Sequence, residues 1–276
     1  MTNLSDLVVG HYANRGLFAL IADGLKTAGK DLHSITLNDL KSVDEFHIGG
    51  VQATNDLLTQ LKIGRETDVL DIGSGIGGPA RHMAAEYGAK VIGLDLTPEF
   101  VDTASQLTKL TNLKIKFKVG SALDMPFAGD SFDLATLIHV GMNLPDKGKL
   151  FSEAARVLRA GGSFAIYDVM RVGDGHPNFP VPWASAPEAS FVETREVYQA
   201  AAIAAGFVKQ TERTRAEFAI EYFKNLKAGI LKSGPPLVGL HLVMGADAQI
   251  KITNMVKGIE NGHVAPIEMI FKKPIR

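Results

Sequence analysis

From Thr67 onward the chain alternates between two apolar rhythms. TDVLDIG (67–73), AKVIGLD (89–95), SFDLATLIHV (131–140) and SFAIYDV (163–169) are short apolar runs of strand length. Between them, PARHMAAEYG (79–88) and DKGKLFSEAARVL (146–158) space their apolar residues three and four apart, as a helix face requires. Thr97-Pro98-Glu99 reads as a helix start, with a hydroxyl cap, a proline and an acid in the first turn, and that helix is expected to reach about Thr111. KIKFKVG (114–120) alternates strictly, with lysines on one face, which suits a protected sheet edge. Gly161-Gly162 reads as a turn. Strands alternating with helices predict an α/β fold, a doubly wound and mostly parallel Rossmann-like sheet.

The flanks follow a different pattern. LFALIADGLKTAG (17–29), SITLNDLKSV (34–43, with Ser34 or Thr36 as cap) and VQATNDLLTQLKI (51–63, closed by Gly64) are amphipathic and helical. Residues 1–50 are therefore expected to form an N-terminal helical cap, and residues 51–276 the Rossmann-like domain. After a proline- and glycine-rich loop (173–187) come a helix (193–207), a strand (207–216), a helical insertion at about 217–261 and a final strand, VAPIEMIFKK (264–273). An insertion between the last two strands is placed to cover the mouth of a site. In such sheets ligands sit beyond the carboxyl ends of the strands. The ends to watch are Asp71–Gly75, Asp95–Leu96, Gly120–Leu123, Ile138–Gly141 and Asp168–Met170.

Composition narrows the chemistry. The 276 residues include 46% hydrophobic and 21% charged, with 29 basic against 30 acidic. That balance argues against a nucleic-acid partner; Arg213 and Arg215 read as a solvated strand face. With no cysteine, disulfides, thiolate metal sites and a cysteine nucleophile are excluded. Eight scattered histidines form no H-x-x-x-H pair with a third ligand, so no metal is expected. The N-terminus lacks the pattern of a signal peptide, and no apolar run approaches the ~20 residues that cross a bilayer. The expectation is a cytoplasmic protein without a membrane span; its oligomeric state is unknown.

Residues 69–78, VLDIGSGIGG, carry the strongest signal. Gly73, Gly75 and Gly78 satisfy G-x-G-x-x-G, and Asp95 stands where a ribose-binding acid belongs. Nicotinamide enzymes and methyltransferases share this pattern. Asp71 separates them, because a carboxylate aimed at the loop repels a pyrophosphate and suits a cationic cofactor. The structural alternative is that it only ties down the loop by accepting backbone N–H bonds, and both roles are compatible. No Y-x-x-x-K constellation for hydride transfer is present.

Downstream, Ser121-Ala122, Pro126-Phe127, Ser131-Phe132-Asp133 and Arg156-Val157-Leu158 with Gly161-Gly162 stand in one order. That order resembles class I S-adenosylmethionine-dependent methyltransferases. FHIGGVQAT, DIGSGIGGPARHMA, GLDLTPEF, HVGMNLPDK and PVPWA are similar to small-molecule enzymes of the sarcosine/dimethylglycine methyltransferase kind. The resemblance implies that S-adenosylmethionine is the cofactor. Gly73, Ser74 and Gly75, with Asp71, would line its methionine moiety. Asp95 would accept the ribose hydroxyls, and Leu96 would pack on the adenine. Ser121, Ala122 and Leu123 would frame the adenine edge, Ser121 standing where many relatives have aspartate. His139 would face the methionine end, and Gln52 lies in the segment that folds over it.

The acceptor is expected to be a small molecule, most simply an amine or amino acid; O-methylation and quinone or terpenoid C-methylation stay open. So do a non-catalytic cofactor-binding protein and an NAD-dependent oxidoreductase. His139 leads the base candidates, against a role as a cofactor contact or a satisfied strand-end histidine. Tyr12 resembles a family tyrosine that reaches the methyl group. His47, Trp183 and Asp168 are the substrate-binding candidates, each with a structural alternative: loop locking, packing and turn capping.

Overall fold

The computed structural model describes residues 16–275. A seven-stranded sheet in the order β3-β2-β1-β4-β5-β7-β6 forms its centre. The strands are β1 (Asp68–Ile72), β2 (Lys90–Asp95), β3 (Lys116–Val119), β4 (Phe132–Ile138), β5 (Leu158–Arg171), β6 (Val208–Thr214) and β7 (Val264–Lys272). Only β7 runs against its neighbours, so the sheet is doubly wound and mostly parallel. Helices cover both faces. On one side α3 (Gly50–Leu58) and α4 (Gly78–Tyr87) bury Ala53, Leu57, Ala80 and Met83 against Val69, Val91 and Leu134. On the other, α6 (Lys147–Val157) and α7 (Arg195–Ala204) pack Phe151 and Tyr198 on Phe164 and Phe271.

Local chemistry explains the element ends. α1 (Leu17–Thr27) buries Leu17, Ile21 and Leu25, one helical face. α2 (Leu37–Asp44) starts at Thr36, whose backbone N–H donates to Asp39 Oδ2 at 2.9 Å in a capping box. α4 has Pro79 in its first turn and ends at Gly88 with φ +67°.

Two expectations are corrected at the ends of α5 (Pro98–Leu110) and α6. The Thr97 hydroxyl does not cap α5; instead the carboxylate of Asp95 takes the Thr97 N–H at 2.8 Å. Gly161-Gly162 is no separate turn but lies inside β5, where the register with β4 skips from Phe132↔Leu158 to Leu134↔Ser163. A third correction concerns the arginines. Arg215 lies just past β6 and is buried against Glu268 at 2.7 Å and paired with Asp56, whereas Arg213, within β6, is exposed as expected and also meets Glu268.

The lysine-bearing β3 is an edge strand, as its alternation predicts. The segment between β6 and β7 forms α8 (Ala216–Ser233), α9 (His241–Met244) and α10 (Ala248–Glu260). Among the described residues no helix is long and apolar enough to cross a membrane, and no cluster of three metal-ligating side chains occurs.

Candidate active site

The carboxyl ends of β1, β2 and β4 open onto a cavity with about 1320 Å³ of empty space, its mouth included. The loop after β1 forms one wall. Gly73 has φ +71°, and a Cβ there would stand 2.3 Å from Val140 Cγ2, so only glycine fits. The Gly73 and Ser74 N–H groups donate to the Leu94 carbonyl of β2, at 2.7 and 3.0 Å. Gly75 N–H donates to Asp95 Oδ2 at 2.8 Å. Asp95 thus holds the glycine loop with one oxygen and the start of α5 with the other. The Thr97 hydroxyl and the Leu96 N–H also bond to this carboxylate. Burial pushes the Asp95 pKa up despite these bonds.

Asp71 accepts the Thr136 hydroxyl proton on Oδ1 at 2.8 Å. It takes no loop N–H, so it does not tie down the loop; Leu94 and Asp95 do that. Its Oδ2 and the Ser74 hydroxyl are buried without a hydrogen-bond partner among the described residues. Burial raises the Asp71 pKa from 3.8 to about 7. A cationic ligand that supplied donors here would satisfy both atoms.

Two histidines form the opposite wall. His139 follows β4 with φ +54°, and its Nδ1 lies 3.2 Å from the Tyr167 carbonyl. A carbonyl only accepts, so Nδ1 carries the proton. Its Nε2 receives the Ile48 N–H at 3.4 Å. His47 stands beside it, ring centroids 5.8 Å apart. Its Nε2 meets the Gly50 carbonyl at 3.2 Å and the Thr54 hydroxyl at 3.1 Å. Thr54 donates in turn to Glu45 Oε2 at 2.8 Å. Burial lowers the His47 pKa to about 4 and raises that of Glu45 to about 8. Burial, and then the neighbouring His47, also depress His139. Both imidazoles are neutral at pH 7.

The segment bearing His47 is anchored from beneath. Arg81, fully buried in α4, pairs with Asp44 (Nε to Oδ2 3.1 Å) and donates to the Ile76 carbonyl at 2.7 Å. The backbone approaches closely here, for a Cβ on Gly78 would stand 2.1 Å from the Asp44 carbonyl oxygen.

The cavity brings together Asp71, Gly73, Ser74, Gly75, Asp95, Leu96, Ser121, Ala122, His139, His47 and Trp183. Trp183 is 2% exposed, with its indole N–H on Ser190 Oγ at 2.9 Å. Three expected residues lie elsewhere. Gln52 is exposed, because α3 turns Ala53 and Leu57 to the core and position 52 outward. Leu123, half-buried, packs against the core cluster that includes Leu150 and Phe151. Asp168 is fully buried and accepts the Tyr198 hydroxyl of α7 at 2.7 Å. Strand alternation is the reason: Tyr167 points toward the histidines, its ring centroid 4.8 Å from that of His139, so Asp168 points to the other face. Tyr12 lies outside the described residues.

The sequence reading missed Phe46, Met142, Tyr222, Phe223, Met244 and Met255, which also line the cavity. The last four belong to α8, α9 and α10. Their helical spacing was readable, but it is equally that of an ordinary core.

The family described as a methyltransferase domain matches residues 70–166. Methyltransferase GfsG of Streptomyces halstedii is 32% identical over 167 residues, 59% of this chain and 58% of that protein. Sarcosine/dimethylglycine N-methyltransferase of Halorhodospira halochloris is 33% identical over 151 residues, 53% of each. The chain therefore spans little more than half the length of these curated relatives. Other relatives are named as O-, N- and C-methyltransferases. Phosphoethanolamine N-methyltransferase 2 of Haemonchus contortus, solved with S-adenosyl-L-methionine, superposes with a TM-score of 0.75 over 99% of this chain and 60% of that one. It is 20% identical, so the likeness concerns the fold.

Proposed function

We propose that this chain, whose residues 70–166 match a methyltransferase domain, is a class I methyltransferase that transfers a methyl group from S-adenosylmethionine to a small-molecule acceptor. The observation that carries this reading is the buried, unpartnered Oδ2 of Asp71 beside a glycine loop with positive φ at Gly73 and Gly75. An anionic pyrophosphate would meet that oxygen as a like charge. The ammonium of a methionine moiety would pair with it, and the Ser74 hydroxyl would take up the same group.

In this reading Gly73, Ser74 and Gly75 hold the methionine end, together with His139. Asp95 receives the ribose hydroxyls, with Leu96, Ser121 and Ala122 around the base. The described part of the N-terminal segment, residues 16–50, acts as a cap and the insertion at about 217–261 as a lid. The cofactor supplies an electrophilic methyl group on a sulfonium. The chain supplies alignment of the two reactants, worth roughly 7–11 kcal/mol in well-oriented systems, and apolar walls that keep water from the methyl group. We take an amine as the nucleophile; it has to arrive unprotonated and to give up one N–H proton as the methyl group is transferred.

Calorimetry with S-adenosylhomocysteine and with NAD tests the cofactor assignment. Saturable binding of the first and none of the second is expected. NAD binding without S-adenosylhomocysteine binding overturns it. A non-catalytic binding protein would bind S-adenosylhomocysteine yet methylate no member of a wide acceptor panel.

A further inference from the structure

We infer that the acceptor is a predominantly apolar molecule without a carboxylate or phosphate, and that it presents its nucleophilic N–H or O–H to Nδ1 of His47. The inference rests on the methyl-transfer reading and narrows it. Among the described residues no lysine or arginine lines the cavity, and the cations nearby are committed elsewhere. Lys147 Nζ donates to the carbonyls of Leu144 and Phe191 at 2.6 and 2.9 Å. Lys251 Nζ donates to the Met244 carbonyl at 3.0 Å. Arg81 is paired with Asp44, and Arg215 with Glu268 and Asp56. An acceptor anion would be buried unpaired, and Asp71 and Asp95 on the facing wall would repel it. Such burial is strongly disfavoured. What the wall offers instead is apolar: Trp183, Phe223, Met142, Met244 and Met255.

One polar atom there is poised for the nucleophile. The Gly50 carbonyl can only accept, so the His47 proton sits on Nε2. Thr54, having donated its own proton to Glu45, accepts at the same place. Nδ1 is left with its lone pair, no donor among the described residues meets it, and the ring lines the cavity. His139 is arranged the other way, since its only lone pair already receives the Ile48 N–H. His47, rather than His139, is therefore the free proton acceptor. With the cofactor bound, the lone pair on the acceptor's nitrogen or oxygen would form the new bond to the methyl carbon, the methyl–sulfur bond would break with its pair returning to sulfur to leave S-adenosylhomocysteine, and the acceptor's N–H or O–H proton would pass to His47 Nδ1. The imidazolium returns it to solvent when product leaves.

The test uses the full chain with a panel of matched aryl compounds. These are a phenol, an N-alkyl aniline and a benzylic amine, each with and without a carboxylate, alongside sarcosine and phosphoethanolamine. Labelled-methyl transfer is expected to favour the neutral members at least about 100-fold in kcat/KM. Binding to the protein loaded with S-adenosylhomocysteine, read from Trp183 emission, is expected to favour them at least about tenfold whether or not they turn over. H47N keeps an acceptor oxygen near the Nδ1 position but takes no proton. It should lower kcat about 100-fold or more, with KM and S-adenosylhomocysteine affinity within about twofold of wild type. Equal or tighter binding of the acids, no binding by the neutral compounds, or H47N with normal kcat each overturns the inference. Loss of S-adenosylhomocysteine binding in the wild-type protein would instead strike the methyl-transfer reading.

Discussion

Asp71→Asn separates two consequences of one buried carboxylate. Asp71 is 2% exposed, with one oxygen on Thr136 and the other unpartnered. Its pKa is 3.8 when solvated and about 7 in the fold. Between those values the unfolded chain has released a proton that the folded chain keeps. Stability is therefore greatest below about pH 4, falls as pH rises by up to about 1.4 kcal/mol per pH unit, and levels off above about pH 7. From pH 5 to 8 the loss due to this group is about 3 kcal/mol. D71N stays neutral and has no such slope, although its amide would leave a buried donor unsatisfied at a cost of about 1–3 kcal/mol. The variant should be the less stable protein at pH 5 and match or exceed wild type at pH 8. Urea unfolding of the ligand-free protein at both pH values measures this. Asp168, also raised by burial, does not feel Asp71 and cancels in the difference; Glu45 and Asp95 do feel its charge, so removing that charge eases their own titration and adds to the loss of slope in the variant. Binding should move the opposite way, with S-adenosylhomocysteine affinity at pH 8 falling at least about tenfold when the carboxylate is lost. A wild-type-to-variant stability difference that is the same at pH 5 and pH 8 would refute the argument, as would unchanged affinity.

Asp95→Ala removes the acceptor for the Gly75 and Thr97 N–H groups and for the proposed ribose hydroxyls; calorimetry should show affinity for S-adenosylhomocysteine at least about tenfold weaker, and wild-type affinity would contradict the ribose assignment. Arg81→Leu strands Asp44 as a buried charge without its partner and should cost about 3–5 kcal/mol in urea unfolding; a loss under about 1 kcal/mol would mean the pair does not anchor the segment bearing His47.

The strand half of the fold was legible because its signals are local. Apolar runs, the glycine loop, Pro79 and the Thr36 cap each act within a few residues of where they stand. So does the lysine face that puts β3 at the edge. Gln52 was legible too, in principle, since the spacing of Ala53 and Leu57 already turns position 52 outward. What could not be read locally were choices of parity and partner. Tyr167 and Asp168 are both plausible strand-end residues, and alternation lets only one face the cavity; which one depends on where β5 sits over α7. The His47 tautomer depends on Thr54 and Glu45 meeting across the turn at Gly49-Gly50. Ser74 and Asp71 looked like ligand groups in the chain, but that they are buried and unpartnered is visible only once Thr136 and Leu94 have taken the neighbouring atoms.

The cavity has two halves of different origin, and this bears on how the relatives are to be read. Asp71, the glycine loop, Asp95, Ser121 and His139 are fixed by the sheet and fall within residues 70–166, the segment the family model matches. Trp183, Tyr222, Phe223, Met244 and Met255 lie outside it, and all but Trp183 come from the insertion between β6 and β7. A change in those helices can reshape the apolar half without moving a strand end. Relatives that match over about 100 residues, named for tocopherol O-methylation or sterol 24-C-methylation, match over little more than a third of this chain. Identity confined to the sheet half carries information about what the strand ends hold and almost none about what the apolar half admits. The acceptor has to be read from this chain's own second half and from residues 44–50 folded over it. There the decisive features are apolar walls, a lining that among the described residues holds no lysine or arginine, and one unprotonated imidazole nitrogen.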